Sequence, residues 1–343
     1  MSLNVYIDNF RRDDWEQYAK EFADYSIYQT WPYQQVRGEI DTQEVSRFLI
    51  KDKDDHVLTM GQIRIKHVKI LGLRIGYIQR GPLLRHKNGT VKCTVKALRN
   101  LLNVYLGTKV NVLRIAPNIC NDETDHRISE MLIASGFQHV SSVAPYRTLM
   151  LQVDDSEDAV RKRLHKSFRR DIKYAEKNGI EIREGNNEEF CKILEELYFG
   201  SLKRKSFKGL NPQEFIRPQL DLSASEKMNI IVAYYDGEPV SMLLSSNLGD
   251  TAVVLLAAGN ERSLSCGSSY LTWYRGAVSA LHAGMKLYDL GGIDPRRNPT
   301  VYQFKKRMGA DECYFIGEFE ATSNLFVKHI WRIAEKAYRF LKK

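Results

Sequence analysis

The sequence predicts an α/β protein built from two similar units. Length is the first observation, because 343 residues exceed what one hydrophobic core ordinarily serves. The second is alternation: short apolar runs rich in β-branched and aromatic residues alternate with stretches of helical period. The third is order. Each half reads as helices, a three-strand meander, a helix, a buried strand ending at Pro or Gly, and another short helix. Two units joined near Tyr146, spanning 1–145 and 146–319, fit this pattern better than one large sheet.

Within the first unit, 13–25 reads as a helix with Trp15, Tyr18, Ala19 and Phe22 on one face. Pro32 opens a second helix. Strands succeed it over 47–50, 57–68 and, after a turn at Gly72, 73–77. Residues 91–106 are helical by periodicity, 110–116 is a buried strand stopped by Pro117, and 128–135 is a helix closed by Gly136.

A further strand at 146–153 enters the second unit. Ser156 then caps a helix with Glu157 and Asp158 in its first turn. That helix becomes strongly basic over 161–177 and stops at Asn178-Gly179. Residues 188–202 form another helix, 204–208 a basic loop, and Asn211-Pro212 opens the next helix. Asp236-Gly237 joins 230–235 to 240–247 as a hairpin, with 251–258 as its third strand. A helix over 267–283 precedes the strand 287–290, and in a terminal helix Phe326, Ile330, Ile333, Ala337 and Leu341 share one face.

Composition narrows the partners. Lys and Arg exceed Asp and Glu by nine charges, which favours tRNA, nucleotide-linked substrates or an acidic membrane surface without choosing among them. Five cysteines, an odd number with no C-x-x-C, argue against a disulfide framework or a zinc site and for a reducing, cytoplasmic setting. No apolar window is long enough to span a bilayer. The eight histidines form no H-x-x-x-H pair, so no metal is expected. G-x-S-x-G and P-loop motifs are absent.

The stretch 286–318 organises the chemistry. Strand 287–290 ends in Gly291-Gly292, Pro295 and Pro299 hold a loop, and a short helix carries Tyr302, Phe304, Lys305 and Lys306 before Gly309. A strand end, a glycine turn and a cationic helix can cradle an anionic or carbonyl-bearing ligand. An ordinary strand–loop–helix with a solvated basic tip fits the same residues.

Several motifs, in order along the chain, resemble the FemABX aminoacyltransferases. They are Tyr77-Ile-Gln-Arg-Gly-Pro82, Leu113-Arg-Ile-Ala-Pro117, Arg147-Thr-Leu-Met-Leu-Gln-Val153, the basic helix ending Ala175-Glu-Lys-Asn-Gly179, Tyr288-Asp-Leu-Gly-Gly292 and Phe304-Lys-Lys-Arg-Met-Gly309. The resemblance implies two tandem GNAT-like domains with mixed sheets and an interdomain cleft, the terminal helix 320–343 returning to the first domain. It implies transfer of an amino acid from aminoacyl-tRNA to an amine of a nucleotide- or lipid-linked peptidoglycan precursor, with no cofactor required. Acyl-CoA is the alternative donor, and an amino sugar or other small amine the alternative acceptor. Between 215 and 229 there is no room for a long helical hairpin, so the chain looks like an armless member.

Aminolysis of an ester needs positioning and oxyanion stabilisation rather than a covalent intermediate. The resemblance gives Lys305, held by Phe304, as the catalytic cation. Arg37 and Arg204 are the acceptor-phosphate candidates, since guanidinium suits phosphate oxygens. Tyr302, Lys306 and Asp289 are the other candidate substrate contacts, although Asp289 also fits a cap on the adjoining turn. Arg262, Gly267, Ser268 and Ser269 loosely resemble the GNAT pyrophosphate loop, with Ser265 where a glycine belongs. Lys166, Arg169, Arg170 and Lys173 are the tRNA candidates, through phosphate contacts, and a solvated charged face is the competing reading. The basic terminal helix is expected to dock on the first domain, with peripheral contact to an anionic bilayer as its other possible role.

Overall fold

A computed structural model describes residues 3–121, 126–153, 155–205 and 209–341. The first half gives β1 (Asn4–Ile7), α1 (Arg12–Ala19), α2 (Trp31–Asp41), β2 (Glu44–Lys51), β3 (Val57–Val68), β4 (Leu73–Gln79), α3 (Val95–Tyr105), β5 (Val112–Ala116), α4 (His126–Ser135) and β6 (Gln138–His139). Next come β7 (Arg147–Gln152), α5 (Glu157–Arg163), α6 (Lys166–Lys177), β8 (Glu181–Gly185), α7 (Glu188–Lys205), α8 (Gln213–Asp221), β9 (Asn229–Tyr235), β10 (Glu238–Leu248) and β11 (Thr251–Gly259). The remainder is α9 (Glu261–Cys266), α10 (Ser268–His282), β12 (Leu287–Asp289), α11 (Pro299–Lys306), β13 (Asp311–Tyr314), β14 (Phe319–Thr322) and α12 (Leu325–Leu341).

Two compact units result. The first gathers residues up to Asp24, then Arg37–Pro145, and everything from Tyr314 onward; the second holds Tyr25–Val36 and Tyr146–Cys313. The seven-stranded sheets run β1-β2-β3-β4-β5-β14-β6 and β13-β7-β12-β11-β10-β9-β8. Both contain an antiparallel meander whose last strand pairs in parallel with the next, β4 with β5 and β11 with β12. That parallel strand then pairs antiparallel with a strand from far along the chain: β5 with β14, and β12 with β7. The duplicated order read from the sequence is therefore a duplicated topology.

The first core packs α3 on its sheet through Leu98, Leu101, Leu102 and Tyr105, meeting Phe48, Ile63, Leu113 and Phe319. Thr94 caps α3 by accepting from the Ala97 N–H at 3.1 Å. In the second unit one face of the sheet carries α5, α6 and α10 through Phe168, Ile172, Trp273 and Ala277. The opposite face carries α7 and α8, and Ile27 and Tyr33 from the early segment insert beside Phe215 and Met228.

The structure differs from the sequence reading in several places. The basic helix is two helices, because Leu164 is extended and buried and His165 caps α6, its Nδ1 accepting from the Ser167 N–H at 3.3 Å. β1, β6, β8 and α9 are additional to the elements that periodicity predicts, and where the sequence suggests one strand beginning near Tyr314 there are two short ones, β13 and β14. Arg204 lies in α7 rather than in a loop, and residues 206–208 of that expected loop lie outside the described residues, as do 342 and 343 of the terminal helix. Segment 222–228 joins α8 to β9 directly, in keeping with an armless chain. The terminal helix packs through Val327, Ile330 and Trp331 against Leu73, Ile75 and Val112, leaving Phe326 and Ile333 exposed, 73% and 71%. Two polar anchors set that rotation: Trp331 Nε1 donates to Glu320 at 2.7 Å, and Arg114 pairs with Glu335 at 2.6 Å. Cys93, Cys191 and Cys266 are free and buried, whereas Cys120 and Cys313 are each disulfide-bonded, which chain spacing alone could not reveal.

Candidate active site

The candidate site lies in the second unit, where β12 leaves β11. These parallel strands share only three register pairs, Thr251–Leu287 to Val253–Asp289, although β11 runs on to Gly259. Beyond Asp289 the chain stays with β7, the Leu290 N–H donating to Leu149 O and the Ile293 N–H to Arg147 O, both at 2.9 Å. The sheet therefore opens on the β11 side. In the first unit the equivalent β4–β5 pair keeps five register pairs and stays closed.

Gly291 makes the turn with φ +80°, and a Cβ there would stand 3.1 Å from Val254 O. Asp289 Oδ1 accepts the Gly291 N–H at 2.8 Å and the Thr148 hydroxyl, so this buried carboxylate caps the turn. Asn298 caps α11, accepting from the Val301 N–H, and Pro299 sits in the first turn where its missing donor costs nothing.

α11 delivers Lys305 into the opening. Its Nζ donates to Gly291 O and Gly292 O, both at 3.0 Å, and lies 5.7 Å from the Trp273 ring centroid. Only 7% of the residue is exposed. Burial lowers its pKa to about 8, with the Asp289 charge opposing that shift. At pH 7 such a lysine is still about nine-tenths protonated. The two carbonyls use two of its three donors. Phe304 packs in tilted and edge-on contacts with Phe168, Tyr270 and Trp273, ring centroids 5.2–5.4 Å away, and so fixes the helix that carries Lys305.

Other sequence-selected residues have defined partners. Tyr302 donates to Glu312 Oε1 at 2.6 Å, and Arg147 binds the same carboxylate through Nε at 3.1 Å. The Tyr302 hydrogen bond first, and Arg147 next, hold the Glu312 carboxyl below its usual range. Lys306 is exposed and donates to Ala310 O at 3.1 Å.

Arg204 bonds Gly259 O and, with Lys203 and Arg262, lines a hollow of about 520 Å³. Residues selected separately for acceptor and donor thus line one hollow, whose three cations outnumber its single acid, Glu261. Arg262 also pairs with Asp236. The expected pyrophosphate loop is instead α9, followed by Gly267 at φ +74°. Ser268 is fully buried, its hydroxyl accepting from Ser241 at 2.8 Å, while the neighbouring Ser269 is partly exposed.

Arg37, in the first unit, pairs with Asp41 at 2.7 Å, and Arg64 shares that carboxylate at 3.2 Å. On α6, Lys166, Arg170 and Lys173 are exposed opposite the buried Phe168, Ile172 and Ala175. Arg169 turns back to Lys162 O at 2.8 Å.

Arg307 is a positioning residue that sequence reasoning misses. It donates to Ser167 Oγ at 2.8 Å and to Asp171, and its carbonyl accepts the His165 N–H at 2.8 Å, stapling the end of α11 to α6. Its place directly after Lys306, in a run of cations, is the only signal in the sequence.

The FemAB family profile matches residues 11–236 and 219–336, nearly the whole chain. The chain belongs to the FemAB family. A crystal structure of FemX superposes with a TM-score of 0.81 at 17% identity, covering 95% of this chain and 99% of FemX. A conserved protein of unknown function from Bacteroides thetaiotaomicron gives 0.60 at 10% identity, over 93% of this chain and 99% of that one. The C-terminal domain of a putative lysylphosphatidylglycerol synthetase from Agrobacterium fabrum gives 0.55 at 9%, over 94% of each. At these identities the superpositions establish the fold, two GNAT-like units. A search of curated proteins returns no match. Membership makes this FemAB protein a Fem-like acyltransferase linked to peptidoglycan bridge synthesis. Among the described residues, no helix is long and apolar enough to cross a membrane.

Proposed function

We propose that this FemAB protein transfers an amino acid from aminoacyl-tRNA to an amine of a peptidoglycan precursor peptide, at the opening between β11 and β12. The observation that carries the reading is the buried ammonium of Lys305 beside the Gly291–Gly292 turn. The acceptor nitrogen attacks the ester carbonyl carbon. The C–N bond forms, the carbonyl oxygen takes up charge, and the C–O bond to the ribose then breaks. The amine loses a proton and the ribose oxygen gains one. Lys305 offers its remaining N–H to the developing oxyanion or to the departing ribose oxygen, a contribution of about 3 kcal/mol for one well-placed donor.

Arg204, Lys203 and Arg262 suit an anionic part of the acceptor, such as a diphosphate. Arg37, beside Arg64, offers a second cationic group in the first unit. The outward cations of α6 suit tRNA phosphates. Acyl-CoA as donor receives less support, because the stretch that would cradle its pyrophosphate is helical and the Ser268 hydroxyl faces the core. Incubation with charged tRNA and a nucleotide-linked muropeptide, read by mass spectrometry, tests the proposal. The expected product is heavier than the precursor by one aminoacyl residue. Transfer from acyl-CoA but not from charged tRNA would overturn it.

A further inference from the structure

We propose that the outer face of α12 docks the protein on an anionic lipid bilayer. One side of this helix is committed to the first unit by Val327, Ile330 and Trp331. Beside that packed side runs a second apolar stripe, Phe326, Ile333 and Phe340, exposed by 73%, 71% and 82%. These positions recur every seven residues, so they track one line along the helix for roughly 20 Å at 1.5 Å per residue. Neither a core nor a capping requirement accounts for such a stripe, since the packed side already satisfies the fold.

Charge identifies the occupant. Arg332 and Lys336 are exposed along the far border of the stripe. The single acid of the helix, Glu335, turns the other way to Arg114, so no carboxylate of α12 offsets those cations. An apolar line bordered by basic residues is the pattern of a helix lying in the headgroup region, its apolar side chains reaching into the acyl boundary. A second copy of the chain fits less well, because pairing this face with itself sets Arg332 and Lys336 against like charges. Ile70, 92% exposed, adjoins Lys69 in the β3–β4 turn, whose Val68 and Leu71 pack against the same small core as α12. It adds a further apolar tip with a basic neighbour. Membrane docking through α12 is independent of which donor or acceptor the active site takes.

Co-sedimentation of the full chain with vesicles tests it. Binding is expected to mixed phosphatidylcholine–phosphatidylglycerol vesicles, weakening as salt rises, with little binding to phosphatidylcholine alone. Phe326→Ser/Ile333→Ser/Phe340→Ser and, separately, Arg332→Glu/Lys336→Glu are each expected to weaken binding by about tenfold or more. Should the serine variant lose its fold by circular dichroism, the charge-reversal variant and the salt titration still decide. Failure of the wild-type protein to bind the mixed vesicles would overturn the proposal, as would undiminished binding by the folded variants. Self-association in the ultracentrifuge that the serine variant abolishes, without vesicle binding, would assign the face to a second copy instead.

Discussion

A buried lysine with a pKa near 8 makes the proposed reaction sensitive to pH in a defined direction. If the Lys305 cation stabilises the oxyanion, the transfer rate at saturating substrate should fall as pH rises through about 8, where the side chain loses its proton. A pH–rate profile checks this, and the falling limb should be missing from Lys305→Met. Asp24 is a second buried titrating group. It is 1% exposed and accepts N–H bonds from Leu84 at 2.8 Å and Arg85 at 3.2 Å, yet burial raises its pKa to about 7. The folded pKa lies above the unfolded value near 3.8, so its contribution is fully present below about pH 4 and is lost as pH rises through 7. Denaturant unfolding between pH 4 and 7 should show Asp24→Asn gaining stability relative to the wild-type protein as pH rises, because only the wild type carries this buried carboxyl. Lys305 is legible in the sequence as the lysine after Phe304, but its environment is not. Its carbonyl partners lie thirteen and fourteen residues earlier, and Trp273 more than thirty, so only the fold brings them together.

At the scale of elements, the placement of α11 depends on Gly309, whose φ is +77° and whose Cβ would stand 2.0 Å from Arg163 O. Gly309→Ala should therefore cost more than about 2 kcal/mol, read as a lowered denaturation midpoint, and should reduce transfer by shifting Lys305. In the first unit Arg114 meets Glu320, Glu335 at 2.6 Å and Glu318 at 3.6 Å. Arg114→Met leaves three neighbouring carboxylates without their shared cation, and should destabilise the unit by about 3–5 kcal/mol in chemical denaturation. Periodicity identifies the meanders, the buried strands and the short helix after the glycine turn, because these depend on local pattern. It misses the break between α5 and α6, which exists because Leu164 is drawn into the core and His165 can cap α6. It also misjudges the inward side of α12, which two polar anchors determine.

For the molecule as a whole, two α/β units are readable from repeated element order, whereas the strand exchange is not. β14 completes the first sheet from residues 319–322, after the entire second unit, and the early segment 25–36 packs with the second. Such pairings join residues about two hundred positions apart, and a local pattern of periodicity carries no information about them. The two sheets also differ at their parallel pairs: the second parts after three register pairs where the first keeps five, and there the buried lysine sits. The proposed reaction rests on that lysine promoting transfer from an aminoacyl ester. The most direct test compares wild-type protein with Lys305→Met in single-turnover transfer of labelled amino acid from charged tRNA to a muropeptide precursor, with folding verified for both. The expected result is label on the precursor and a loss of about 10²–10³-fold in the variant; a folded variant that transfers at the wild-type rate would contradict it.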